Sequence, residues 1–321
     1  MQGAAAVGAL TALFVFLVPL LLLFRHMRRE AAALRLETVR LTEEPDALRL
    51  VQISDVHLKL LRVPMPQIVP LLREAAPDVV ILTGDYIDSP AEMDRFVEWL
   101  GALIDFAIPA PPASPAPPVP TTSAAPLAPV TSAAPPAFAP ATDTASPLFL
   151  LCFGNHDHRA FDRDPARAKA FLKRIKRLGV VVMEDRTLSF WHGGKLYAAT
   201  GFKDAGQFPY DARAAFRGLP KAVRYHIGFS HNPDRALDLA RERADRPPEL
   251  FLCGHFHGGQ IWMPFHFEYN CLRKEKLCRM GMRRGLHSFG GRLVYISRGL
   301  GCVLFPLRLG SKPEITLFLI R

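Results

Sequence analysis

Metal-binding side chains in this 321-residue chain stand where short apolar runs end: Asp55 and His57, Asp85, Asn155 with His156 and Asp157, His231, and His255 with His257. Ligands gathered at the carboxyl ends of strands in an α/β sheet converge on one crevice. Positions i and i+2 of an extended segment point to the same side, so Asp55 with His57, and His255 with His257, are expected to face that crevice together. The donors are all oxygen or nitrogen, which suits Mn, Fe or Zn and argues against a thiolate site. Asp55, His57, Asp85, Asn155, His231, His255 and His257 are too many ligands for one ion. Two ions sharing a carboxylate is the economical arrangement. Such pairs lie about 3.5–4 Å apart and clamp both oxygens of an in-line displacement at phosphorus.

The elements that must position these groups follow from hydrophobic periodicity. Residues 48–54, 79–82, 148–153, 180–183, 225–229, 250–253, 293–297 and 315–320 read as strands, and the wholly apolar 79–82 is of the kind buried on both faces. Residues 188–192 and 195–200 flank Gly193-Gly194, a hairpin signal. Helices are expected at 63–76, 91–105, 165–178 and 233–244; the third carries Ala168, Phe171, Leu172 and Ile175 on one stripe. Strands and helices intermixed with an antiparallel pair indicate a layered α/β domain at 47–321. A Pro/Ala-rich tract at 109–147 holds 13 of the 29 prolines and a single charge, Asp143. It reads as a disordered insertion inside that domain, a spacer, because a strand resumes directly after it.

Residues 3–24 carry no charge. As a helix they would run about 33 Å, enough to cross the hydrocarbon core of a bilayer. Nothing basic precedes the run, unlike a cleaved export signal, and Arg25, His26, Arg28 and Arg29 follow it. The positive-inside rule then puts a single-pass anchor at 3–24, a juxtamembrane stalk at 25–46 and a catalytic domain in the cytoplasm. A hydrophobic content of 49% excludes a disordered chain, and five cysteines without framework spacing exclude a disulfide scaffold. Cys152 and Cys253 read as small core residues, and Cys271 and Cys278 are too isolated to argue for metal. The net charge of +10 is uneven: between 264 and 312, ten Lys or Arg face two Glu, and 272–284 interleaves six of the basic residues with Leu277, Met280 and Met282. That patch suits anionic headgroups or the steering of an anionic substrate, and no nucleic-acid-binding module accompanies it.

Ser54-Asp55-Val56-His57, Gly84-Asp85, Gly154-Asn155-His156-Asp157, His231 and Gly254-His255-Phe256-His257 resemble, in order, the five blocks of the calcineurin-like metallophosphoesterases. Around them, Ser230-His231-Asn232-Pro233-Asp234, Gly258-Gly259-Gln260, Ser297-Arg298-Gly299-Leu300-Gly301 and Pro313-Glu314-Ile315-Thr316 are similar to its membrane-associated YkuE/YaeI-like branch, which includes the transmembrane metallophosphoesterase-domain proteins. The resemblance implies an α/β-β/α sandwich holding two divalent metal ions, Mn, Zn or Fe. Asp55, His57 and His257 would hold the first, and Asn155, His231 and His255 the second, with Asp85 bridging. His156 would act at the leaving oxygen, oriented by Asp157, and Asn155 would also meet a phosphate oxygen. Arg298, His158 and Arg159 are further candidates for substrate contact. Leu58-Lys59 stands where a glycine is frequent in the family, and Phe256 replaces a small or hydroxyl residue; neither change removes a ligand.

The expected activity is hydrolysis of a phosphodiester, or a phosphomonoester, by attack of a hydroxide shared between the metals, with no covalent phosphoenzyme. A membrane-proximal site beside a basic patch points to a lipid-linked or nucleotide-containing substrate. The alternative is a non-catalytic metal-containing module that binds a phospholipid headgroup or a protein partner. His26, His192, His226, His266 and His287 read as surface or packing residues.

Overall fold

Period-2 alternation sorts the strands into two stacked sheets. In β2 (Leu48–Ile53), Leu48 and Leu50 face one way while Val51 and Ile53 face the other. The same split recurs in β3 (Val79–Thr83) and β4 (Leu148–Cys152), where Val79, Ile81, Leu150 and Cys152 share the first face. The computed structural model describes residues 2–107, 146–209, 211–241 and 246–321, with side chains from residue 14 onward. One six-stranded sheet has the order β1-β12-β2-β3-β4-β5, with β1 Arg35–Arg40, β5 Val181–Val182 and β12 Glu314–Ile320. The second has the order β10-β11-β9-β8-β7-β6. Its strands are β6 Arg186–His192, β7 Lys195–Gly201, β8 Tyr225–Phe229, β9 Leu250–Cys253, β10 Gly285–Phe289 and β11 Arg292–Ile296. Between them lies a core of Leu48, Leu50, Val79, Ile81, Leu150, Tyr197, Ile227, Phe229, Leu252 and Phe318. The hairpin at Gly193-Gly194 forms as expected, with φ of 52° and 71°.

Helices cover the outer faces. α2 (Met65–Ala75), α3 (Met93–Ala107), α4 (Asn155–Arg163) and α5 (Pro165–Arg177) flank the first sheet. In α3 the spacing of Met93, Phe96, Val97, Leu100 and Leu103 makes a single buried stripe. The Asp164 side chain accepts the Arg167 N–H and caps α5. Over the second sheet lie short helices α6 (Ala212–Ala215), α7 (Arg235–Arg241), α8 (Phe267–Asn270) and α9 (Lys276–Arg279). The result is the expected α/β-β/α layering. The insertion read at 109–147 lies outside the described residues except for its last two; the flanking α3 and β4 belong to the same layered body.

Two expectations for the N-terminus change. Residues 25–46 are not a free stalk, because β1 pairs in parallel with β12 from Arg35↔Glu314 to Arg40↔Leu319. Charges on alternate positions of β1 hid an edge strand, where one side of the ladder needs no partner. α1 spans Gln2–Glu30. Among the described residues no helix is long and apolar enough to cross a membrane, so the anchor expected at 3–24 is not shown. The side chains of its first half lie outside the described residues.

Candidate metal centre

The ligand-bearing segments leave β2, β3, β4, β8 and β9 at the same end of the two sheets. Buried Gln52 ties that end together, donating from Nε2 to Thr83 Oγ1 (3.0 Å) and to the Cys253 carbonyl (3.0 Å) across the sheets. Asp55 and His57 come together differently from the extended alternation expected of them. Both sit in left-handed backbone, at φ of 50° and 38°, and so do Asp85 (56°), His255 (73°) and His257 (53°). Five non-glycine residues in that region are costly, about 1 kcal/mol or more each, and such strain clusters at functional sites. Two glycines allow the segments to close: a Cβ on Gly254 would fall 1.9 Å from Ser54 Oγ, and one on Gly154 would fall 2.2 Å from Asp85 Oδ1.

Among the described residues, two trios of the donors marked in the sequence result, beside a third trio of His57, Asp88 and His156. Asp55, His57 and His257 form one, and Asp85, His231 and His255 the other, with the ligand atoms of each trio within 4.8 Å of one another. Asp85 stands between them: its Oδ2 is 3.6 Å from His57 Nε2 and 3.0 Å from His231 Nε2. Its Oδ1 accepts the His156 backbone N–H at 2.8 Å. Of the six residues in the first two trios, Asp55, His57, Asp85, His231 and His257 are buried, and His255 is partly so.

The outer hydrogen bonds decide what the inner atoms can do. A carbonyl or carboxylate only accepts, so His231 donates Nδ1–H to the Thr83 carbonyl (2.9 Å), and His255 donates Nε2–H to Glu275 Oε1 (2.8 Å). That leaves His231 Nε2 and His255 Nδ1 as acceptors 3.1 Å apart, both beside Asp85. His57 donates Nδ1–H to Asp88 Oδ1 (3.2 Å), leaving its Nε2 buried without a partner. Asn155 Oδ1 and His257 Nδ1 are also buried without partners. Converging lone pairs with orphaned neighbours repel unless a cation sits among them, so these residues fit a pair of divalent ions. Without cations a proton fills the gap. Burial opposes charge on His231, yet the Asp85 carboxylate prevails and raises it to about 10. Asp85 likewise overcomes its burial through His231, His57 and His156, which hold its carboxyl well below the usual range.

His156 lies at the mouth, a quarter exposed, its ring edge-on to His57 at 4.9 Å. The partner expected for it was Asp157. The structure corrects this: Asp157 is wholly buried and accepts the backbone N–H groups of Asp85, Tyr86, Ile87 and Gly154 at 2.8–3.1 Å. Asn155, His156 and Asp157 form the first turn of α4, and neighbours on a helix do not face each other. Asp157 therefore fixes the Asp85 loop to the helix, while burial and the Asp85 charge push its own carboxyl up to about 7. The acceptor for His156 is Asp88, with Nδ1 to Oδ1 at 2.6 Å. Burial would raise Asp88, but its bonds from His156 and His57 hold it well below the usual carboxylate range. Asp88 was missed in the sequence, although it lies only three residues after Asp85 in the same loop.

The weaker substrate candidates divide. Arg159 lines the cleft above the metal residues, a cavity of about 800 Å³ that also contacts Lys59, Asp85, His156, His255 and Arg273. Arg298 does not face it: its guanidinium is paired with Glu314 and with Glu37 of β1. His158 is buried away from the cleft, 3.1 Å from Glu184 Oε1 and edge-on to Phe208. Glu275 was also missed. It lies in the basic stretch 272–284, which closes on the site because Asp234, three residues after His231, accepts the N–H groups of Lys276 and Leu277.

The family model described as calcineurin-like phosphoesterase matches residues 48–259, more than half of the chain. The chain belongs to that family. Among its relatives, the metallophosphoesterase YkoQ of Bacillus subtilis is 26% identical over 269 residues, covering 84% of this chain and 82% of YkoQ. YkuE of the same organism is 26% identical over 281 residues, covering 86% and 80%. The phosphodiesterase YaeI of Escherichia coli is 33% identical over 190 residues, 56% of this chain and 63% of YaeI. As a member of the family, the chain carries a metallophosphoesterase domain, the mark of a phosphoric ester hydrolase, and its two donor trios are the candidate metal ligands.

Proposed function

We propose that this protein is a membrane-anchored, dinuclear phosphoesterase that cleaves a phosphodiester by direct attack of water. The observation that carries the reading is Asp85, one carboxylate standing between two trios of acceptor atoms. Asp55, His57 and His257 would hold one cation, Asn155, His231 and His255 the other, and Asp85 both. When bound, the pair supplies a water acidified to near-neutral pKa and a positive clamp on the phosphoryl oxygens. The chain's own residues do the rest. His156, as an imidazolium whose Nδ1–H is held by Asp88, delivers its Nε2 proton to the leaving oxygen and is left neutral. Lys59, Arg159 and Arg273 draw the anionic ester into the cleft. Kinship with the phosphodiesterase YaeI favours a diester over a monoester. The uncharged run at 3–24 supports an anchor, and the positive residues after it favour a cytoplasmic domain by the positive-inside rule. A lipid-linked or nucleotide-containing phosphoester fits a site with that location. Turnover of bis-p-nitrophenyl phosphate by the detergent-purified chain loaded with Mn²⁺ or Zn²⁺ tests the reading. Metal-loaded protein that hydrolyses no diester would refute it.

A further inference from the structure

The rim of the cleft is more apolar than a water-facing enzyme needs. Trp262, Phe265, Phe267, Leu304 and Phe305 all project outward, Phe265 with 94% and Leu304 with 86% of its surface exposed. Both of those residues sit in left-handed backbone, at φ of 58° and 61°, which an L side chain adopts reluctantly. The two rim segments form one ledge. Trp262 N–H donates to the Leu309 carbonyl at 2.8 Å, Ile261 bridges Leu309, and Gln260 Nε2 donates to the Val303 carbonyl at 2.9 Å. That ledge is fastened to the base of α1: Arg308 N–H donates to the Met27 carbonyl (3.2 Å) and Ser311 N–H to Glu30 Oε1 (2.8 Å). Above that base, Phe14, Phe16, Leu20 and Leu22 of α1 are exposed as well, before the chain turns basic at Arg25, Arg28 and Arg29.

We propose that this ledge beds into the surface of an anionic bilayer, so that the cleft opens onto lipid and takes a phosphoester carrying a hydrocarbon chain. The proposal rests on the hydrolase reading for its chemistry and names the substrate class. Three features select lipid over a protein partner. Lys59, Arg159 and Arg273 line the same cleft as Leu304 and Phe305, so the exposed aromatic and aliphatic side chains stand beside cations, as on an interfacial surface. The ledge is tied to α1, whose apolar side chains also lack cover. The wall of the cleft continues the apolar surface inward, through Ile261, Met263, Leu272 and Leu304, to the metal residues. A chain lying along that wall would leave its phosphate at Asp85 and His156.

The test uses the full chain reconstituted into vesicles of equal parts phosphatidylcholine and phosphatidylglycerol, with Trp99→Phe and Trp191→Phe leaving Trp262 as sole indole. Trp262 emission should shift to the blue, lose most of its intensity to bromine-labelled lipid and resist acrylamide. In the same vesicles, metal-loaded protein should hydrolyse hexadecyl p-nitrophenyl phosphate at least about tenfold better than methyl p-nitrophenyl phosphate, since each buried methylene contributes up to about 0.8 kcal/mol. Phe265→Asp, outside the cleft lining, should weaken the bromolipid quenching and the hexadecyl preference while leaving methyl ester turnover unchanged. Trp262 quenched by acrylamide and untouched by bromolipid would overturn the proposal, as would equal rates on the two esters. No turnover of either ester, with Trp262 in lipid, would overturn the hydrolase reading instead and leave the membrane contact standing.

Discussion

Asp88 Oδ1 accepts from two imidazoles at once, 2.6 Å from His156 and 3.2 Å from His57, so one carboxylate orients the proposed proton donor and sets the tautomer of a proposed metal ligand. The two functions separate by substitution. His156→Ala removes only the donor and should lower diester turnover by roughly 10²–10⁴ while metal content stays at the wild-type level. Asp88→Asn keeps the shape but loses the charge, and should reduce both turnover and affinity at the first metal by about 10–100-fold. Equal activity of His156→Ala and wild type would remove His156 from the chemistry. Glu275 plays the same part for His255 at the proposed second metal, its carboxyl held down to about 2 because the bonded His255 outweighs burial. Glu275→Ala should weaken the second metal by about 10–100-fold in chelator competition, and Glu275→Gln, whose amide oxygen still accepts, by less. Unchanged affinity in both variants would show that His255 orients itself. Six of the seven candidate ligands, all but Asn155, fall in the two trios, and they were legible because each block ends a strand. Asp88 and Glu275 were not, because a partner's identity depends on how two loops fold against each other, and Glu275 reaches His255 from twenty residues along the chain.

Strands β7 and β8 carry a pH response that does not pass through the metal centre. His226 of β8 is buried, with Nε2 2.7 Å from Thr200 Oγ1 on β7, and burial pushes it down to about 4. In the unfolded chain it returns to about 6.5. Between those values the unfolded state binds a proton that the folded state refuses, so stability falls as pH falls, by up to about 3 kcal/mol from this group. His226→Gln should therefore flatten the decline in denaturation midpoint between pH 6.5 and 5, and an unchanged slope would show that His226 accepts its proton while folded. Most strands were legible because alternate positions feed two different cores, as Val80 and Leu82 do on one face of β3 and Val79 and Ile81 on the other. The exceptions share a cause. β1 and β10 are sheet edges with mixed polarity, so one residue in two is free to be charged. α4 is polar around most of its circumference, with its buried positions taken by Asp157, His158 and Ala160, so no apolar stripe marks it. That missing helix is why Asp157 was assigned to the His156 imidazole when it accepts backbone N–H groups instead, and the missing edge strand is why Glu37 was not seen to engage Arg298.

At the scale of the molecule, the candidate site is a meeting of two sheets, and the tract at 109–147 falls in the connection between α3 and β4 of the first sheet. α3 before it and β4 after it both pack into the first sheet's outer layer or ladder, and β4 lies directly beside β3. Read from its sequence as a spacer, the tract would enter stability through the entropy of closing the loop. Each doubling of a flexible loop costs about 0.6 kcal/mol, and cutting the tract to roughly ten Gly/Ser residues should add about 1 kcal/mol. For a domain of this size that raises the melting temperature by about 2–4 °C. Because Asn155 and His156 begin eight residues past the tract, on a helix fixed by Asp157 to the Asp85 loop, the shortened chain should keep its diester turnover. A variant that melts like wild type or higher yet loses turnover would show that 109–147 acts at the cleft, and the spacer assignment would fall while the metal centre stood.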